Sequence, residues 1–176
     1  MIDTRDHVVL VNPDNVPMGI MDKLEAHQKG VLHRAFSIFL FNDKKELLLQ
    51  QRAAHKYHGA ELWTNTCCSH QQLGEDNLTA AQNRLQFEMG ISCPLEEKFS
   101  FLYKAEVENN LIEHELDFIF MGIYNENPVI NNTEVMDYKW IAISELINWI
   151  DANPEQFTYW FKEVLPDVLQ QLELDK

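Results

Sequence analysis

The sequence predicts an α+β fold, a mixed β-sheet flanked by helices within a single domain. Three observations predict it. Apolar, β-branched and aromatic runs of strand length alternate with turn signals through the first and middle parts of the chain. Helical stretches with recognisable start and stop residues lie in the middle and at the carboxyl end. The chain is 176 residues long and 45% hydrophobic, with no repeat, low-complexity tract or Pro/Gly/Ser linker, which suits one core large enough to stand without staples.

Val8 to Asn12 reads as a short strand ended by the turn Asn12-Pro13-Asp14-Asn15, and Met21 to Gln28 as a helix or loop carrying His27. Arg34 to Phe41 and Glu46 to Gln51 read as antiparallel strands around Asn42 to Lys45. Asp76 or Asn77 caps a helix over Leu78 to Met89 that Gly90 stops. Strands follow near Phe99 to Val107, Ile112 to Tyr124 and Tyr138 to Ile141, then helices over Ser144 to Ile150 and Pro154 to Leu172.

A net charge of -14 argues against a nucleic-acid partner, because the summed field repels a polyanion. Residues 23 to 56 depart from that balance with seven Lys or Arg against three acids, leaving seven basic (14 minus 7) and twenty-five acidic (28 minus 3) residues elsewhere. A small anion could find a local basic site there, although Lys44 and Lys45 fit a solvated turn. The acidic start, Met1 to Asp6, followed only by the short apolar run Val8 to Val11, has the pattern of neither a signal peptide nor a membrane span. Three cysteines, two of them adjacent, build no disulfide framework. The expectation is a cytoplasmic protein, monomer or homodimer, with free thiols and no membrane partner.

The chemistry concentrates in Trp63-Thr64-Asn65-Thr66-Cys67-Cys68-Ser69-His70, where a thiol lies two residues from an imidazole. These groups trade protons near neutrality or hold a transition metal, and the alternative is a buried cysteine beside a structural histidine. In Ile112 to Phe120 the strand period puts Glu113, Glu115 and Asp117 on one face and His114, Leu116, Phe118 and Phe120 on the other. Paired acids in an apolar strand call for a cation or a shared proton, unless that face is simply solvated. His27, His33 and His70 with Glu113 and Glu115 form a nitrogen and oxygen set suited to a five- or six-coordinate divalent metal such as Mn, Zn or Fe. His7, His55, His58 and His114 have no assigned part. Arg84 and Glu88 share a helix face, with the basic residue first, the poorer order for an ion pair. That order favours separate roles, Arg84 on an anionic ligand and Glu88 on a cation bridging to it.

These motifs, in this order, resemble the type I isopentenyl diphosphate delta-isomerases of the Nudix superfamily. The resemblance runs from about Val8 to about Trp160 and rests on Thr64 to His70, Glu25-Ala26-His27, Leu32 to Ser37, Leu73-Gly74-Glu75, Glu113-x-Glu115 and Glu134 to Trp140. It implies a Nudix-type sheet and a reaction between isopentenyl and dimethylallyl diphosphate, a homoallylic and an allylic small molecule. Cys68 and Glu115 align with the catalytic pair and Tyr103 with a hydrogen-bonding tyrosine. His27, His33, His70, Glu113 and Glu115 align with ligands of one divalent transition metal, Mn2+ or Zn2+. Lys23, Arg52, Lys56 and Arg84 align with diphosphate-binding cations, Glu88 with a ligand of the Mg2+ that accompanies the substrate diphosphate, and Trp160 with an aromatic of the hydrocarbon pocket. Trp63, Trp160 and Phe36 are expected as walls that exclude water from a tertiary carbocation.

The chain departs from the general Nudix pattern at Ser69, Asn83, Arg84 and Phe87, while Glu75 and Glu88 are kept. Those losses weigh against the alternative, a Nudix hydrolase of a nucleoside diphosphate derivative; a noncatalytic metal-binding module would leave the ordered cations unexplained. Gln71 stands where a proline is frequent, and Tyr57 to Leu62 lacks the family's aromatic-Pro-Gly turn, which leaves the loop's aromatic contribution open.

Overall fold

The structure, a computed structural model, describes residues 5–174; Met1 to Thr4 of the acidic start lie outside the described residues. Its elements in chain order are β1 (His7–Val11), β2 (Pro17–Asp22), α1 (Lys23–Lys29), β3 (His33–Phe41), β4 (Glu46–Arg52), β5 (Trp63–Thr64), β6 (Cys67–Ser69), α2 (Asn77–Met89), β7 (Glu96–Val107), β8 (Leu111–Ile123), β9 (Val135–Ala142), α3 (Ile143–Ala152) and α4 (Tyr159–Leu174). The described strands join one mixed sheet. No described helix is long and apolar enough to cross a membrane.

Strand β3 is the axis of this sheet. It pairs in parallel with β8 along its whole length, from His33 opposite Glu115 to Phe41 opposite Ile123. On its other side it meets β1, β6 and β4 in antiparallel pairings. A strand with neighbours on both sides and both faces covered reads as continuous apolar sequence, and Ala35 to Phe41 are all buried. Alternation sorts its residues between two cores. Phe36, Ile38 and Leu40 pack with Ala80, Ala81, Leu85 and Met89 of α2. Phe39 and Phe41 pack with Phe157 and with Trp160, Phe161 and Val164 of α4.

Helix α1 starts on Asp22, whose side chain accepts from the Glu25 amide at 2.9 Å, and ends at Gly30 with φ 64°. Helix α2 starts on Asp76, which accepts from Thr79 N at 3.0 Å, so the expected cap is the aspartate. Its end at Gly90 is closed: φ is +65° and a Cβ there would lie 2.6 Å from the Val129 carbonyl oxygen. The hairpin between β7 and β8 turns through Asn109 and Asn110 at φ 61° and 58°, a conformation asparagine tolerates.

The expected strands and helices are present with shifted ends, and two features were not expected. β2 pairs with β1 as an exposed edge strand, its Pro17 and Gly19 masking the strand signal. The stretch from Pro154 to Leu172, expected as one helix, breaks at Phe157 and Thr158 between a 3-10 turn at Pro154–Gln156 and α4. The backbone there is drawn to β5: Thr158 N donates to the Trp63 carbonyl at 3.0 Å, and the Thr64 and Thr158 hydroxyls bond at 2.8 Å.

A Gly90→Ala variant is expected to lose about 1–3 kcal/mol, from a left-handed backbone and the contact with Val129 together. Urea unfolding reads this as a lower midpoint at unchanged slope; an unchanged midpoint would show that the helix end tolerates a side chain.

Candidate active site

The segment before the cysteines is tied to the sheet by its own side chains. Thr66 Oγ1 accepts from Leu40 N at 2.9 Å and donates to the Leu48 carbonyl at 2.7 Å, bridging β3 and β4. Asn65 Nδ2 donates to the carbonyls of Ile38 and Cys67, and its Oδ1 accepts from Trp160 Nε1 at 3.2 Å. This polar lock puts Cys67 and Cys68 opposite Ile38 and Ser37 in β6, on opposite faces of the sheet. Cys67 faces α2, where its thiol donates to Glu88 Oε2 at 3.2 Å. Cys68 faces a cavity.

That cavity is also lined by Lys23, Arg52, Lys56, Arg84, Glu88, Glu113, Glu115, His70 and Trp160. Tyr103 lies behind the two acids and donates to them, its hydroxyl 3.0 Å from Glu113 Oε2 and 2.8 Å from Glu115 Oε2. Phe36 lines the wall as expected, but Trp63 does not; its ring turns to Trp149, 5.5 Å away. The face of β8 carrying Glu113, Glu115 and Asp117 is not solvated. All three are buried, and the same face continues through Ile119 and Met121 into the core.

Glu115 gathers imidazoles from three elements. Its Oε1 lies 3.1 Å from His70 Nε2, 3.4 Å from His33 Nε2 and 3.7 Å from His27 Nε2. His27 Nδ1 is held by the Lys23 carbonyl at 2.6 Å and His33 Nδ1 by the Val31 carbonyl at 2.8 Å. With Nδ1–H donating to a carbonyl, each ring turns an Nε2 lone pair inward. Those two Nε2 atoms are buried without a hydrogen-bond partner in the structure. Orphaned nitrogens around a carboxylate fit a divalent cation, and the ligand atoms of His27, His33, His70 and Glu115 all lie within 4.8 Å of one another. Glu113 falls in an adjoining group with His27 and His58.

Burial alone would raise the Glu115 carboxyl, but the contacts with His27, His33 and His70 outweigh it and hold the group well below its ordinary range. Glu113 is pushed well up, by burial and then by the Glu115 charge, so the pair keeps a proton on the Glu113 side. His70 is lowered to about 3 by burial against the pull of Glu115, which leaves it neutral and able to ligate. Asp117, raised by burial and by Glu115, accepts from Ser37 Oγ at 2.8 Å.

A second charged group occupies the α2 side of the cavity. Arg84 and Glu88, expected in separate roles, form a buried ion pair with Nε 2.8 Å from Oε1. Burial removes the competing water that weakens such a pair on a surface. Arg84 also contacts Glu134 at 3.0 Å, and Glu134 pairs with Lys56. Glu88 Oε2 accepts from Gln50 Nε2 at 2.9 Å, and Arg84 and Lys56 hold its carboxyl low despite burial. Arg52 donates to the His58 carbonyl at 3.1 Å and stacks its guanidinium 5.2 Å from the Trp160 ring centre. Glu75, the acid kept from the Nudix pattern, lies at the Arg5 ion pair and the Gln72 amide, outside the cavity lining.

Three cavity features had no sequence assignment. Glu134 lay in a matching motif without a role. Tyr57 and His58 line the cavity from the loop whose aromatic contribution was open, and it supplies two rings. His58 carried no spacing signal, because its place depends on how that loop folds.

The comparisons with known proteins agree with this geometry. A family profile described as the NUDIX domain matches residues 31–166. A solved structure from Deinococcus radiodurans, DR0079, superposes with a TM-score of 0.69 at 15% identity, covering 84% of this chain and 90% of the other. The MutT protein from Methanosarcina mazei Go1 superposes at 0.65 and 14% identity, covering 80% and 94%. These likenesses show the fold. In sequence, the chain is 50% identical over 158 residues to isopentenyl-diphosphate Delta-isomerase 2 of Photorhabdus laumondii, covering 90% of this chain and 89% of that one. It is 45% identical over 172 residues to isopentenyl-diphosphate Delta-isomerase of Pectobacterium atrosepticum, covering 96% of each. Identity of that order across nearly the whole of both chains places the protein in the isopentenyl-diphosphate delta-isomerase family of Nudix-domain proteins.

Proposed function

We propose that this protein interconverts isopentenyl diphosphate and dimethylallyl diphosphate by protonating the alkene to a tertiary carbocation and removing a proton from the carbon on its other side. One observation carries the reading. Cys68 and the Tyr103-bound Glu115 serve one cavity from strands on opposite sides of β3, and that cavity also holds buried cations. An acid and a base flanking a flat alkene are what a double-bond shift through a cation needs.

In the forward direction Glu115, supported by Tyr103, gives a proton to the terminal carbon, and the Cys68 thiolate takes one from the carbon beside the diphosphate-bearing methylene. The protein groups alone favour the opposite loading. Burial pushes the Cys68 thiol up to about 12 against the pull of Arg52, while Glu115 is ionised. That is the inventory for the reverse reaction, with Cys68 donating and Glu115 accepting. Forward turnover therefore needs Glu115 recharged, and the hydroxyl of Tyr103, in contact with both acids, offers the route: Glu113 passes its proton to the Tyr103 oxygen as Tyr103 passes its own to Glu115.

His27, His33, His70, Glu113 and Glu115 would hold one divalent transition metal, Mn2+ or Zn2+. When bound, it supplies positive charge beside the two carboxylates and acidifies the donor. Arg84, Lys56, Arg52 and Lys23 receive the diphosphate, with Glu88 as the protein oxygen for the Mg2+ that enters with it. Trp160 offers its ring face to the cation and Phe36 closes the wall against water. The cytoplasm, where thiols stay reduced, suits a chemistry that depends on free Cys68.

Proton NMR of isopentenyl diphosphate incubated with the metal-loaded protein in deuterated buffer tests the reaction. Dimethylallyl diphosphate carrying solvent deuterium in a methyl group is expected, whereas phosphate release without isomerisation would support a hydrolase. Cys68→Ala and Glu115→Gln are each expected to lower kcat by about a thousandfold or more at unchanged Tm. Full activity in either would remove that residue from the chemistry. Chelation is expected to abolish turnover and Mn2+ or Zn2+ to restore it; turnover that survives in EDTA would exclude a metal requirement. In EDTA the thiol form of Cys68 should make iodoacetamide labelling, followed by peptide mass spectrometry, climb about tenfold per pH unit from 7 to 9. A plateau near pH 8 would show instead that the thiolate is already formed.

A further inference from the structure

We propose that His58 is a further ligand of the divalent-metal centre, a fourth imidazole that enters on the Glu113 side and binds through Nδ1. The inference rests on the metal centre read above and adds to it a residue from the loop between β4 and β5.

The His58 Nδ1 atom is buried and has no hydrogen-bond partner in the structure. It lies 3.3 Å from Glu113 Oε1, close enough for a hydrogen bond yet outside the geometry of one. An imidazole nitrogen and a carboxylate oxygen side by side, without a bond between them, is the arrangement of two ligands aimed at a common third atom. His27 and His33 have that relation to Glu115, with the same orphaned ring nitrogens. The His58 ring stacks on His27 at 5.4 Å and 29°, and its ligand atom groups with those of His27 and Glu113 within 4.8 Å.

The loop is held so that this position is built in. Arg52 Nη2 donates to the His58 carbonyl at 3.1 Å. Gly59 N donates to Glu108 Oε2 at 3.2 Å, and Asn109 Nδ2 to the Tyr57 carbonyl at 2.6 Å, clamping the loop to the tip of the β7–β8 hairpin. Gly59 itself has φ +59°, so the chain leaves His58 through a turn that suits glycine. On its far side the ring meets Trp160 edge to face at 6.0 Å, which fixes its plane.

The consequence for the site is a complete donor set. Four imidazoles and two carboxylates fill an octahedron from protein alone, which leaves no position for a bound water in a cavity where water would trap a carbocation. A nitrogen-rich set also favours a transition ion over Mg2+ and so separates the two metals of the reaction.

The test uses the full chain with nitrogen-15 histidine, loaded with cadmium-113, and reads one-bond couplings from the metal to ring nitrogens. The expected spectrum has three couplings to Nε2 atoms, of His27, His33 and His70, and a fourth to the Nδ1 of His58. Three Nε2 couplings with none to His58 would overturn the proposal while leaving the metal centre intact; no coupling to any histidine would remove the centre itself. In parallel, His58→Gln in folded protein is expected to weaken Co2+ binding at least about tenfold and to alter the visible spectrum, with free imidazole restoring both in His58→Ala. Equal affinity and an unchanged spectrum in His58→Gln would also refute it.

Discussion

The burial of Glu115 as an ionised carboxylate is the constraint on which the site depends. Removing one carboxylate from water costs several kcal/mol, and the cost is met only where donors and positive charge converge on it. Here His27 comes from α1, His33 from the head of β3, His70 from the end of β6 and Tyr103 from the neighbouring strand β7. Four separate elements thus have to be in place before this group can be charged. The parallel pairing of β3 with β8 is what sets His33 directly opposite Glu115. The fold and the protonation state of the acid are in this sense one problem.

The helix α2 solves a different one. Its buried face carries Arg84 and Glu88 together with Ala80, Ala81, Leu85 and Met89, so a charged pair sits inside an otherwise apolar interface. The pair is tolerable because it is not alone: Gln50, Cys67 and Glu134 satisfy its remaining donors and acceptors, and Lys56 balances Glu134. An arginine where the general Nudix pattern has a carboxylate turns this helix from a multi-metal platform into an anion receiver. Cys67 and Cys68, adjacent in sequence, are thereby divided between the two faces of the sheet, one as a donor to Glu88 and the other exposed to the substrate cavity.

Between these charged regions the run Thr64-Asn65-Thr66 works as a polar lock. Its three side chains tie β3, β4 and α4 together and pin the Trp160 indole, so the rigidity of the cysteine segment comes from hydrogen bonds rather than strand length. β6 has only three residues and could not hold register alone. The same lock explains why the last helical stretch is interrupted: Phe157 and Thr158 are bound to β5, and α4 can begin only after them.

The sequence by itself determined the elements whose signals are local. Period-two alternation put Glu113, Glu115 and Asp117 on one face, Asp76 and Gly90 bounded α2, and the turn at Asn42 separated β3 from β4. The order of motifs sufficed for the family and for the metal and diphosphate residues, because those residue types at those positions have few other uses. Tertiary structure decided what depended on contacts between distant segments. The Arg84–Glu88 pair forms because burial excludes water, which helix order cannot show, and Trp63 turns away from the cavity because Trp149 offers its ring. His58 joins the site because Arg52, Glu108 and Asn109, which come from a strand end and a hairpin tip, fold its loop over Glu113. A local pattern reports on a neighbour three or four residues away; convergence across fifty residues is a property of the packed sheet alone.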